Sequence, residues 1–145
     1  MSFSEAIEVY IEKFREGDCE NAFHGLLEMT PAILPELETR FRSEWNTEIR
    51  HYLLHVIWEY RDQSVVRFLG EALLDSHDVI WQEAMDGLVA LASSASIDAL
   101  QAARSRRLSN QQDFQKFHQW LEEAITQAEE SVQNPPVNFV DLQDL

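Results

Sequence analysis

Apolar residues recur along most of this chain at intervals of three and four, the spacing of one helical face, and almost nowhere in strict alternation. The pattern predicts helices over about 3–15, 18–29, 31–43, 47–61, 63–74, 77–92, 96–107 and 110–131. Their starts carry capping chemistry: Ser2 stands three residues before Glu5, Thr30 precedes Pro31, and Ser109 stands three before Gln112. Asn46-Thr47, Asp62, Ser76 and Ser96 each precede another apolar-periodic run. Links this short make neighbouring helices pair mostly antiparallel. From 132 to 145 the period is lost around Pro135-Pro136, and that stretch is expected to be a non-helical tail of mixed acidic and apolar residues.

The apolar pattern also repeats. Laying 46–76 on 77–107 aligns Ile49 with Ile80, Leu53 with Ala84, Leu54 with Met85 and Ile57 with Leu88. In the helices that follow, Val66 meets Ile97, Leu69 meets Leu100 and Ala72 meets Ala103. One unit earlier, Ala22 falls on Leu53 and Leu26 on Ile57; after a one-residue slip, Ile33, Leu34 and Leu37 fall on Val65, Val66 and Leu69. A single hairpin cannot bury its own apolar faces, and stacked neighbours can. The expectation is one repeat domain over 1–131.

Glycine and proline, four of each, are too scarce for a turn-rich β protein. The fold class expected is therefore all-α, an α-solenoid of about four stacked antiparallel hairpins. Twenty-six acidic residues against eleven Lys plus Arg give a formal charge of −15. That field repels phosphate backbones and anionic lipid, so neither nucleic acid nor membrane is an expected partner. It favours a basic protein partner. One cysteine excludes an internal disulfide. The N-terminal stretch lacks the pattern of a signal peptide and no apolar run approaches the ~20 residues of a membrane span, so the cytoplasm is the expected compartment.

The segment DSHDVIWQEAMDGLVALASSASIDALQAA, residues 75–103, resembles a unit of the HEAT-like (PBS-lyase-type) helical repeat family. Asp75 and Asp78 flank the turn, Val79 follows, and an Ile-Asp-Ala-Leu start opens the next helix. Units of that family often carry an arginine after the valine and a glycine-proline link; here Ile80-Trp81 and Ser93-Ser94-Ala95 stand instead. The resemblance covers about 18–107. It implies a superhelix whose second helices line a concave side, and it leaves open bilin lyases and other cofactor-handling proteins as an alternative function. Base-excision glycosylases share the architecture but need a cationic groove that this chain lacks.

The stretch HYLLHVIWEY, residues 51–60, holds the most suggestive chemistry. At 100° per residue, Ile49, Leu53, Val56, Ile57 and Tyr60 share the inward arc, and His51, His55 and Glu59 run along the opposite side. The repeat offset places His24 and Asp86 on His55, Glu20 and Gln82 on His51, and Glu28 on Glu59. By the family resemblance these residues share one inner wall. A zinc site needs a third ligand, and HYLLH lacks the glutamate of HExxH, so no metal or cofactor is expected. Trp58 either fills the groove to the next hairpin or serves as a contact hot spot, and Trp81 stands at a corner with the same two roles open. Trp45 and Trp120 are expected to anchor the core or the caps.

Catalytic constellations are absent: Cys19 lies among acids that disfavour a thiolate, and Glu122-Glu123 and Glu129-Glu130 are adjacent rather than facing. Arg104, Arg106 and Arg107 form the only basic knot, a candidate contact for phosphate or an acidic partner. The expected function is non-enzymatic protein binding. Its surface is Glu20, His24, Glu28, His51, His55, Trp58, Glu59, Trp81, Gln82 and Asp86, and its setting resembles that of an immunity or antitoxin protein. A separate possibility is that the tail, VNFVDLQDL, serves as a docking peptide.

Overall fold

A computed structural model describes residues 1–133. Those residues form eight α-helices and no strand: α1 (Phe3–Arg15), α2 (Cys19–Leu27), α3 (Leu34–Ser43), α4 (Thr47–Glu59), α5 (Val66–Ala72), α6 (Asp78–Leu91), α7 (Ser94–Ala102) and α8 (Gln111–Gln133). Single 3₁₀ turns precede α3 and α5 and follow α7. The helix expected to end near 131 continues to Gln133, and the remainder of the expected tail lies outside the described residues.

Several starts are capped as the sequence suggests. The hydroxyl of Ser2 accepts from the Glu5 amide, Asn46 Oδ1 from Ile49 and Asp62 Oδ1 from Ser64. Three caps differ. Asn110, not Ser109, accepts from the amides of Gln112 and Asp113, because its longer side chain reaches two exposed donors at once. Ser93, not Ser96, caps α7, so Ser94 and Ala95 are helical and Ser96 is buried in the first turn. Before α6 the N-cap position belongs to His77 rather than Ser76, and Asp75 Oδ1 accepts from its amide.

Each odd-numbered helix packs on the even-numbered helix that follows it, and α2, α4, α6 and α8 lie side by side in that order. One apolar cluster runs through all of them. Positions 31 apart share burial: Ile49 with Ile80, Leu53 with Ala84, Leu54 with Met85, Ile57 with Leu88, Leu69 with Leu100 and Ala72 with Ala103. Tyr60 turns inward as its arc predicts, and its hydroxyl donates to the carbonyls of Leu26 and Met29.

The link from α5 to α6 is tied down by cations. Arg50 on α4 forks onto Asp75 at 2.5 and 3.4 Å, and Arg106 donates to the carbonyls of Leu73 (2.7 Å) and Asp75 (2.8 Å). The Arg106 guanidinium also lies 4.7 Å from the centre of the Phe117 ring. Arg104 is bidentate to Glu122 on α8. The basic knot thus serves internal structure, and only Arg107 of the three has no such tie among the described residues; the expectation of a phosphate or acidic-partner contact gains no support here. Trp45 overturns its expected anchoring role. It is 86% exposed in the α3–α4 link, where its neighbour Glu44 takes the buried position and pairs with Arg40 at 2.7 Å. Trp120 is 41% exposed.

Candidate binding groove between α4, α6 and α8

Glu83 organises this side of the molecule. It sits on the inner side of α6 and is buried, yet it accepts three hydrogen bonds from α4: Trp58 Nε1 at 2.9 Å, His51 Nε2 at 3.2 Å and His55 Nδ1 at 2.5 Å. An ionised carboxylate only accepts, so Nε2 of His51 and Nδ1 of His55 both carry the proton. Burial works to raise the Glu83 carboxyl, but the three N–H donors outweigh it and hold the group at about 2. In turn the Glu83 hydrogen bond, opposed by partial burial, raises His51 above its usual range.

Close packing fixes this arrangement. The Trp58 ring lies over Gly87 so closely that a Cβ there would stand 2.8 Å from the tryptophan Cγ. The His55 ring meets Trp58 edge-on at 5.0 Å and Phe23 of α2 at 5.3 Å. Two aromatic neighbours thus hold the histidine ring, and its Nε2 is 3.7 Å from Glu59.

Beside this cluster runs a groove of about 420 Å³, lined by Thr47, Glu48 and His51 from α4, Val79, Gln82, Glu83 and Asp86 from α6, and Trp120 from α8. Among the described residues no lysine or arginine pairs with its carboxylates Glu48, Glu83 and Asp86, and the only ion-pairing groups near them are His51 and His55 on Glu83. Glu48 accepts from the Tyr52 hydroxyl at 2.6 Å, which raises that phenol above its ordinary range. Loss of surrounding water, and then the Glu83 charge, raises the Asp86 carboxyl despite the opposing histidines. Some acids elsewhere are matched: Arg40 holds Glu8 and Glu44, Arg42 holds Glu71, and Lys116 holds Asp78.

The structure brings His51, Gln82 and Asp86 together on this groove and sets His55 and Glu59 beside it. It does not bring Glu20, His24 and Glu28 into the same cluster. Glu20 and His24 face each other on α2 at 3.8 Å, and Glu28 ends that helix. Phe23, not His24, is the α2 residue that reaches His55, because the helix turns its half-buried aromatic edge toward α4. Trp58 (8% exposed) and Trp81 (4%) are buried, which corrects their placement on a contact surface. Trp58 fills the space between α4 and α6, and Trp81 packs edge-on against Phe117 at 5.1 Å.

Two contributors were not among the expected site residues. Glu83 reads as an ordinary helical acid, but the 31-residue offset sets it on Tyr52, a half-buried side chain that reaches back to Phe14 and Phe23. That offset was the available signal: an acid where the preceding unit carries an inward aromatic must find donors. Trp120 lies outside the repeated pattern, so only the packing of α8 on α6 reveals it. Among the described residues no three histidine, cysteine or carboxylate side chains converge in a metal-holding arrangement, and no helix is long and apolar enough to cross a membrane. No family model, curated protein or solved structure matches the chain.

Proposed function

We propose that the chain is a non-enzymatic binding module, a stack of HEAT-like helical hairpins that holds a basic protein partner against the open side of α4 and α6. The side-by-side order of α2, α4, α6 and α8 and the shared burial of positions 31 apart support the stacked-hairpin part. The observation that carries the binding part is the gathering of three carboxylates without lysine or arginine partners, Glu48, Glu83 and Asp86, in one groove. Like charges gathered in one cleft cost stability in the free protein, and a basic partner would relieve that cost while being steered toward it. Masking of a basic toxin, as an immunity or antitoxin protein does, is the setting that this charge fits.

The test begins with a host protein that co-purifies with the full chain and is then titrated back at rising salt. Affinity is expected to fall steeply with ionic strength, and Glu59→Lys with Asp86→Lys to weaken it by about ten-fold or more. Binding that ignores both salt and these substitutions overturns the proposal.

A further inference from the structure

The groove offers more than negative charge. Trp120 and Val79 are among the few large apolar side chains left exposed, and Trp120 stands on its wall. Trp120 is also braced: Trp81 meets it edge-on at 6.3 Å, and Trp81 is itself fixed by Phe117. A braced, accessible indole beside carboxylates combines two features that favour a delocalised cation, a π surface and charged acceptors. The volume, about 420 Å³, lies in the range of small-ligand clefts, roughly 300–1,000 Å³, and suits one side chain better than a helix or strand.

We propose that this groove takes a single arginine side chain of the partner, its guanidinium set between Glu48 and Asp86 and against the indole of Trp120. The inference rests on the binding function proposed above and narrows it to one recognition element. Arginine fits better than lysine for stated reasons. Its guanidinium is planar, sheds water more easily than an ammonium, stacks on aromatic rings and can bridge two carboxylates. The chain already uses that chemistry internally, where Arg50 lies 4.5 Å from the centre of the Phe41 ring while forking onto Asp75. Glu83 lies at the base of the groove as a fixed negative charge, its acceptor capacity largely taken up by Trp58, His51 and His55. The groove acceptors left to meet a guest include Glu48, Gln82 and Asp86, beside the Trp120 indole.

The experiment titrates the full-length chain with three short, end-blocked glycine-serine peptides, alike except for one central arginine, lysine or citrulline. The readout is the indole N–H signal of Trp120 in amide-correlation spectra, assigned by its loss in Trp120→Phe. The arginine peptide is expected to shift that signal saturably, lysine to bind a few-fold more weakly, and citrulline not to bind at all. Asp86→Asn is expected to weaken the arginine peptide by about ten-fold, and as a polar change on an accessible side chain it leaves the fold intact. Trp120→Leu, read through the backbone amide signals of Gln82 and Asp86, should abolish the preference for arginine over lysine; preserved signal dispersion verifies its fold, and Asp86→Asn stands alone if that fails.

Equal affinity for arginine and lysine, or shifts spread over the Glu8-Glu12-Glu16 edge of α1 without saturation at Trp120, overturns the pocket. That result leaves an acidic binding surface intact. If a longer oligolysine also fails to bind, both proposals fall. Concentration-dependent dimerisation of the chain that Asp86→Asn abolishes would show that the guest is an arginine of a second copy, which likewise overturns the assignment to a foreign partner.

Discussion

Two carboxylates reach α4 from the same side of the chain, and the protein treats them differently. Asp75, in the link before α6, meets Arg50; Glu83, two turns into α6, meets His51, His55 and Trp58. Arg50 and His51 are consecutive, so one turn of one helix points a permanent cation at one acid and a titratable donor at the other. Arginine stays charged at any relevant pH, and Asp75 is neutralised throughout. Glu83 has no permanent cation beside it, and its N–H donors, the titratable His51 among them, stabilise the charge without cancelling it. The first arrangement locks a loop. The second keeps a fixed negative charge beneath an open groove.

The largest expected effect tests the locked side. Arg50→Met takes the forked guanidinium from the mostly buried Asp75 carboxylate and leaves it only His77 and the Arg106 that holds its backbone carbonyl; breaking such a pair costs about 3 kcal/mol. Glu83→Gln should cost less, about 2 kcal/mol: it loses the charge that three N–H donors hold, but its carbonyl still accepts from Trp58 and a neutral histidine can reverse its tautomer to match the amide. Urea denaturation of both variants measures the gap. Equal losses would mean that Glu83 is as structural as Asp75 and would remove the contrast.

A smaller loss comes from Gly87→Ala. Alanine normally favours a helix interior by about 0.8–1 kcal/mol over glycine. Here the new methyl would meet Cβ and Cγ of Trp58, the root of that side chain rather than its mobile end. The clash wins, with a net loss of about 1–2 kcal/mol. It also pushes the indole off Glu83 while leaving the carboxylate in place. A change in tryptophan fluorescence together with a shifted denaturation midpoint is the expected pair of signals.

The pH dependence separates the two sites with less force. The Glu83 carboxyl, at about 2 when folded against 4.5 ordinarily, contributes stability that is present above 4.5 and lost as pH falls through 2. Asp75, also lowered, behaves alike in acid, so acid does not distinguish them. The alkaline side does. The raised His51 contributes stability that is fully present below 6.5 and lost as pH rises through its folded value, whereas Arg50 does not titrate there. His51 is more than one-third exposed, so solvent screening limits the loss to about half a kcal/mol as pH rises from 6.5 through the folded value. Glu83→Gln should flatten that slope, and Arg50→Met should not.

Much of the helical layout was legible in the sequence because it depends on local rules. The 3.6 period and the caps at Ser2, Asn46 and Asp62 are each decided within a few residues, and the 31-residue offset predicted which side chains are buried. The candidate site was half legible. His51, Gln82 and Asp86 follow from periodicity plus offset. Glu83 does not, since its burial depends on donors from another helix, and Trp120 depends on where α8 docks. The exposure of Trp45 was missed for the converse reason: hydrophobicity predicts burial only where the backbone turns the residue inward.

The smallest effect is opposite in sign and bears most directly on function. Asp86 is accessible but partly desolvated, repelled by Glu83 and beside no lysine or arginine among the described residues; its carboxyl is raised, so ionising it opposes folding. Sign follows from direction: the folded protein holds the Asp86 proton more tightly than the unfolded chain, and stability is lost as pH rises through the carboxylate range. Asp86 is solvent-accessible, so screening limits the effect: Asp86→Asn should stabilise the chain by about a few tenths of a kcal/mol, most clearly once pH has risen through the raised His51, which then no longer offsets the repulsion. The same substitution should weaken a cationic guest. A residue whose removal improves the fold and impairs binding is one retained for the partner, because a purely structural acid, such as Asp75, loses stability when removed. Destabilisation by Asp86→Asn at high pH would place the aspartate with Asp75 on the structural side of the comparison, and the groove would lose its clearest claim to a binding role.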